Sequence, residues 1–136
     1  MKSHAQVVIV GGGIMGVSLL YHLTKEGWRD IVLIEKGELT SGSTWHAAGQ
    51  CPHFVGSYNA AKIHNYSNRL YQELEKETGQ STGWHGCGSL RLALKEEDVN
   101  WFHYVKGILD NVGSPAEFVP KDKILDLHPF LKIEDV

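Results

Sequence analysis

Gln6-Val7-Val8-Ile9-Val10-Gly11-Gly12-Gly13-Ile14-Met15-Gly16 carries the strongest structural instruction in the chain. Four aliphatic residues run into a glycine cluster, the pattern of a short buried strand ending in a tight turn. From Ile14 the pattern becomes helical. Val17, Leu20, Leu23 and Thr24 share a face, and Gly27 supplies a stop signal. Ile31-Val32-Leu33-Ile34 is a second buried strand, closed by Glu35. Strand, turn, helix, strand is a crossover, and a crossover implies parallel pairing.

Gly11, Gly13 and Gly16 form G-x-G-x-x-G at the junction of strand and helix. The first glycine permits the turn, the second lets a pyrophosphate approach the backbone, and the third lets helix and strand pack closely. Ile14 and Met15 open the helix, where backbone N–H groups lack partners and the dipole is positive. An anion is the natural occupant. Glu35 ends the next strand 19 residues after Gly16, matching the expected ribose-binding carboxylate at about 20. Its charge disfavours a 2′-phosphate, and hence NADP, despite the neighbouring Lys36. The turn does not separate NAD from FAD.

The rest of the composition narrows the class. With 136 residues the chain is one domain or part of one. Apolar residues at 42% and charged residues at 21% are ordinary for a globular protein and exclude disorder. Thirteen basic against sixteen acidic residues give a net charge of −3 with no basic block, so neither nucleic acid nor an anionic membrane surface is expected as a partner. The longest purely aliphatic runs, Val7–Val10 and Ile31–Ile34, fall far short of the about 20 residues that span a bilayer. No membrane span, signal peptide or transit peptide is expected. Two cysteines make no disulfide framework, so a reducing compartment is the default: cytoplasm, or mitochondrial matrix in a eukaryote.

Downstream, residues 38–56 form a polar, glycine-rich stretch too long for a simple connector. Residues 59–78 predict an amphipathic helix with Ile63, Tyr66, Leu70 and Leu74 on its inner face, ended by Gly79. Residues 89–94 alternate as a strand, with Leu90, Leu92 and Leu94 on one side and Arg91 on the other. Residues 96–112 predict a second amphipathic helix with Val99, Phe102, Val105, Leu109 and Val112 inward and Gly113 as its cap. A short strand over 117–119 follows, and Pro120 opens a last helical stretch to His128. Tyr66, Tyr71, Trp101, Phe102 and Tyr104 read as core or half-buried positions, and Cys51 and Cys87 as reduced and at least partly buried.

Glu38-Leu39-Thr40-Ser41-Gly42-Ser43-Thr44-Trp45-His46-Ala47-Ala48-Gly49 closely resembles the dimethylglycine and sarcosine dehydrogenase family. This is a branch of the flavin amine oxidases with the D-amino-acid oxidase type of fold. The likeness continues through Lys62-Ile63-His64, Glu75-Lys76-Glu77-Thr78-Gly79-Gln80 and Gly88-Ser89-Leu90-Arg91-Leu92-Ala93. Gln50-Cys51-Pro52-His53-Phe54 departs from the family pattern. The resemblance implies FAD, oxidation of an N-methylated glycine derivative, and a histidine joined covalently to the flavin, which in this sequence is His46. Neutral imidazole is a competent nucleophile, and a pKa near 6.5 leaves most of it neutral at pH 7. The resemblance also implies that Ser43 and Thr44 reach phosphate or ribitol oxygens, that Trp45 walls off water, and that Ala47, Ala48 and Gly49 let the backbone approach the cofactor. Family members are several times longer and often carry a folate-binding region, so folate is a partner only through regions beyond these residues.

The expected architecture is therefore α/β. A Rossmann-like FAD-binding βαβ unit with a flavin-contacting loop occupies 1–58. Over 59–136 a long helix leads into the beginning of an α+β substrate domain, the whole reading as an incomplete domain that binds FAD poorly alone. Cys51-Pro52-His53 and His85-Gly86-Cys87 invite a zinc reading, but C-x-H spacing makes chelation by both members awkward, and no metal is expected. His64 reads as a packing or capping residue. Arg91 reads as a solvated or salt-bridged arginine, with a substrate carboxylate as its alternative partner. Two other functions compete: a non-catalytic regulatory or vestigial relative that keeps the fold, and an NAD-dependent dehydrogenase.

Overall fold

The computed structural model describes residues 3–136. They divide into two compact units, one ending at Gln50 and one spanning Cys51–Val136.

In the first unit, strand β1 (Val7–Val10), helix α1 (Ile14–Lys25) and strand β2 (Ile31–Ile34) form the expected βαβ crossover. The strands pair in parallel, Val7 opposite Ile31 and Val10 opposite Ile34. Helix α1 packs on both strands. Strand side chains alternate between faces, so Ile9 is buried at 6% exposure while Val8 and Val10 stand out at 52% and 83%. The expectation of fully buried strands is corrected here. Helix α1 covers one face of the sheet, and Val8, Val10 and Ile34 remain exposed on the other.

The second unit contains α2 (Tyr58–Thr78), α3 (Glu96–Val112) and α4 (Lys121–Leu127). Its core is Ala61, Val105 and Leu109, joined by the partly buried Phe54, Val55, Ile108, Val112 and Ala116. Helix α3 buries two of its expected inner residues fully, whereas Val99 is exposed. It ends in a Schellman turn: Ser114 N–H donates to Leu109 O and Gly113 N–H to Asp110 O, with Gly113 at φ +69°.

Helix α2 turns a different face inward from the one its apolar pattern predicts. Ile63 and Tyr66 are exposed, and the buried residues are Ala61, Asn65 and Asn68. The small Ala61 side chain suits close packing against α3. Asn65 Nδ2 donates to the Val112 carbonyl at 2.6 Å, satisfying an acceptor that the end of α3 leaves without a helical partner. Asn68 Nδ2 donates to His64 O within its own helix.

Residues 89–94 and 117–119 form no strand. A strand exists by its ladder, and among the described residues no other segment pairs with either stretch. Tyr71 and Phe102 are half-buried as expected, whereas Tyr66, Trp101 and Tyr104 are exposed, and Trp101 and Tyr104 stack on one another at 5.3 Å on the surface of α3. Both cysteines are exposed rather than buried.

Candidate cofactor site

Three local features of the first unit build the site: the turn after β1, the carboxylate after β2, and the loop that follows it. Gly11 adopts φ +108°, a conformation that favours glycine. A Cβ on Gly16 would fall on the Gly11 carbonyl oxygen, so the third glycine sits where strand and helix approach most closely. Gly13 caps α1 in an extended conformation and has no side chain to accept the first N–H groups.

Thr44 supplies that acceptor. Ile14 N–H donates to Thr44 Oγ1 at 2.9 Å, across 30 residues of sequence. The loop is held a second time by the Thr40 N–H, which donates to Gly12 O at 2.9 Å. Thr40 adopts φ +66°, an uncommon conformation for a β-branched residue.

A cleft of about 370 Å³ opens beside this junction, lined by Val10, Gly11, Gly13, Ile14, Met15, Gly16, Ser43, Thr44 and Ala47. Eight of the expected site residues thus meet in one concavity. Glu35, Lys36, Trp45, His46, Ala48 and Gly49 lie outside its lining.

Glu35 reaches back to the glycine turn. Its Oε2 accepts the Gly12 N–H at 2.6 Å and its Oε1 accepts the Gly37 N–H at 2.9 Å. The Gly12 bond foremost, then the Gly37 bond, hold its carboxyl below the usual carboxylate range, with a smaller contribution from the Lys36 charge. A carboxylate has about four acceptor sites. Acceptor capacity remains for hydroxyl donors.

His46 is exposed, and its ring lies 4.3 Å from that of Trp45, which is 68% exposed. His46 Nδ1 sits 3.0 Å from the Gly42 carbonyl oxygen. A carbonyl only accepts, so Nδ1 is the donor in this contact, and in the neutral tautomer that makes it the lone pair lies on Nε2.

The donor set fits a dinucleotide. Helix N–H groups and a hydroxyl face the cleft, and an ionised carboxylate with spare acceptor sites stands at the end of β2. Sequence reasoning missed Gly12, Leu39 and Thr40. A Cβ on Gly12 would meet Leu39 and Glu35, so the middle glycine makes room for the loop and the carboxylate. The run of three glycines was the available signal, but the G-x-G-x-x-G template passes over its second member.

In the second unit, residues 52–54 tie the chain to the helices. His53 Nδ1 and Ser114 Oγ are 3.1 Å apart, and His64 Nδ1 donates to Pro52 O at 2.7 Å. Phe54 packs edge-on to Phe102, with the Arg91 guanidinium 4.8 Å over its ring. Arg91 thus has a local aromatic partner, and His64 holds a loop carbonyl. Among the described residues, no group of three or more His, Cys, Asp or Glu could hold a metal ion, and no helix is long and apolar enough to cross a membrane.

A βαβ crossover with a glycine turn, a carboxylate after the second strand and a cleft at the helix start defines a dinucleotide-binding fold. The chain belongs to the FAD dependent oxidoreductase family, whose profile matches residues 6–136. Membership favours FAD over NAD. The chain is 47% identical over 135 residues to rat mitochondrial dimethylglycine dehydrogenase, and 44% identical over 136 residues to the mouse mitochondrial pyruvate dehydrogenase phosphatase regulatory subunit. These alignments cover 99% and 100% of this chain but 16% of each relative, so the chain spans about a sixth of their length. Its fold matches L-proline dehydrogenase from P. horikoshii at a TM-score of 0.82 and 23% identity, covering all of this chain and 36% of that one.

Proposed function

We propose that this chain supplies the FAD cradle of an amine dehydrogenase or oxidase acting on an N-methylated glycine such as dimethylglycine or sarcosine. The observation that carries the reading is the cleft in which the α1 N-terminus meets the Thr44 loop, with Glu35 bonded to the same turn. The 47% identity to a dimethylglycine dehydrogenase supports the substrate class. Residues 1–58 form the cradle and the flavin-contacting loop, and 59–136 begin the substrate-binding part. Folate enters only through regions outside these residues. The mitochondrial relatives favour the matrix in a eukaryotic host.

In this reading the Met15 N–H, with the Ser43 and Thr44 hydroxyls, receives the pyrophosphate while the Ile14 N–H stays on Thr44 Oγ1, and Glu35 receives the adenosine ribose hydroxyls. Ala47, Ala48 and Gly49 keep the adjoining backbone slim. FAD, when held there, would supply the two-electron oxidising chemistry that amine oxidation needs. His46 offers Nε2 to the flavin 8α-methyl carbon. An N–C bond formed there would release one proton from the methyl carbon and one from the imidazole, and would require a two-electron oxidant such as dioxygen, reduced to hydrogen peroxide.

The test is flavin absorbance of the purified full-length protein under anaerobic conditions. Bleaching by dimethylglycine or sarcosine is the expected result, and a flavin that neither amine bleaches removes the substrate assignment. Acid precipitation then separates attached from dissolved flavin. Flavin found wholly in the supernatant of an active enzyme rules out the bond to His46. The 44% identity to a phosphatase regulatory subunit favours a second reading, a regulatory protein that keeps the cradle without turnover. Bound flavin inert to every N-methylated glycine would support it.

A further inference from the structure

Thr44 is two residues from His46, and its hydroxyl joins their loop directly to the phosphate-binding helix. The turn that carries both residues is knit internally: His46 N–H donates to Ser43 O at 3.3 Å, Ala47 N–H to Thr44 O at 3.2 Å, and His46 Nδ1 to Gly42 O at 3.0 Å. A turn bonded in this way moves as a unit. Two long-range bonds fix that unit against the glycine turn and α1. One is the backbone bond from Thr40 to Gly12, and the other is the Ile14 N–H to Thr44 Oγ1. The Thr44 bond is the nearer of the two to His46 in sequence. It is also the one a side-chain substitution removes.

We infer that Thr44 is a positioning residue for His46, setting the imidazole relative to the cofactor cradle through its bond to Ile14. The inference rests on the proposed covalent role of His46 and goes beyond it. Thr44 acts on where Nε2 stands, separately from any contact of its own with phosphate. The hydroxyl suits both tasks, because it accepts from Ile14 while its own hydrogen stays available to a phosphate oxygen. Displacing a reacting group by about 1 Å costs on the order of a hundredfold in rate, so loss of the anchor reads out mainly in attachment.

The experiment reconstitutes flavin-free full-length protein with FAD and follows two quantities: the dissociation constant at early times and the rate at which flavin becomes acid-precipitable. Thr44→Val removes the hydroxyl at nearly constant shape. It also takes a hydroxyl from the cleft, so FAD affinity is expected to fall, and attachment is therefore compared at saturating FAD, where it is expected to slow about tenfold or more. Thr44→Ser restores the hydroxyl and is expected to recover most of the rate, which separates anchoring from a packing defect. Attachment in Thr44→Val at the wild-type rate overturns the inference. So does a loss of affinity that accounts for the whole loss of rate, since Thr44 is then a phosphate ligand and nothing more. Wild-type protein that binds FAD without ever bonding it removes the His46 reading itself, a result distinct from either.

Discussion

The Glu35 carboxylate accepts the Gly12 backbone N–H at 2.6 Å, so the acid at the end of β2 is bonded to the middle of the glycine turn 23 residues earlier. This contact orients the carboxylate before any ribose arrives. It also explains why the turn contains three consecutive glycines, since a side chain at position 12 would collide with Leu39 and crowd Glu35.

Glu35→Gln keeps the shape but loses the charge, and one of its two acceptor oxygens becomes a donor facing a backbone N–H. FAD affinity is expected to fall roughly ten- to a hundredfold, the range for losing a charge-assisted hydrogen bond. Fluorescence titration of the flavin-free protein measures it. The pH dependence has a definite sign. The folded carboxyl is held below its ordinary value of 4.5 by the Gly12 and Gly37 bonds. Its stabilising contribution is therefore complete above that value and is lost as pH falls through the folded one. Unchanged FAD affinity in Glu35→Gln would contradict the ribose assignment.

Gly16→Ala places a methyl group on the Gly11 carbonyl. Helix α1 must shift from β1 to admit it. The expected cost is about 1–3 kcal/mol, the range for overpacking a close contact, together with weaker FAD binding as the N–H groups of α1 move. Urea denaturation monitored by circular dichroism gives the first quantity. A wild-type midpoint would show that the strand–helix contact is looser than described.

Asn65 is a buried polar residue whose value lies in one bond. Asn65→Ala leaves the Val112 carbonyl without its side-chain donor. The expected loss is about 1–3 kcal/mol, read from the same denaturation curves. Ile63→Ala, on the exposed side of the same helix, is expected to change stability by less than about 0.5 kcal/mol. The opposite order would restore the inner face that the apolar pattern suggests.

His53 is held below its ordinary value of 6.5, first by burial and then by the nearby His64. The unfolded chain therefore binds the proton more readily than the folded one. Stability is expected to be fully present above about 6.5 and to decline as pH falls below it, through the lower folded value. His53→Gln removes this titrating group, and its denaturation midpoint is expected to vary less between pH 7 and pH 5. An unaltered slope would assign the pH dependence to another group.

Much of the first unit was legible because its instructions are local. The aliphatic runs bounded β1 and β2, Glu35 and the glycines stood at template spacing, and α3 ended at Gly113 as its pattern predicts. Turn chemistry and helix periodicity act over a few residues, and the sequence states them directly. The inner face of α2 was not legible. Ile63 and Tyr66 carry the apolar signal, but packing against α3 selected Ala61 for its size and Asn65 for a carbonyl 47 residues away. The alternation of residues 89–94 likewise promised a strand, yet a strand requires a partner that alternation cannot name. At the site, the sequence identified Glu35, Thr44 and His46 as residue types with the right chemistry. The fold alone decided that Glu35 bonds Gly12, that Thr44 caps α1, and that His46 Nδ1 donates to the Gly42 carbonyl. Hydrogen-bond geometry over such separations depends on where the turns carry the backbone, which no local pattern encodes.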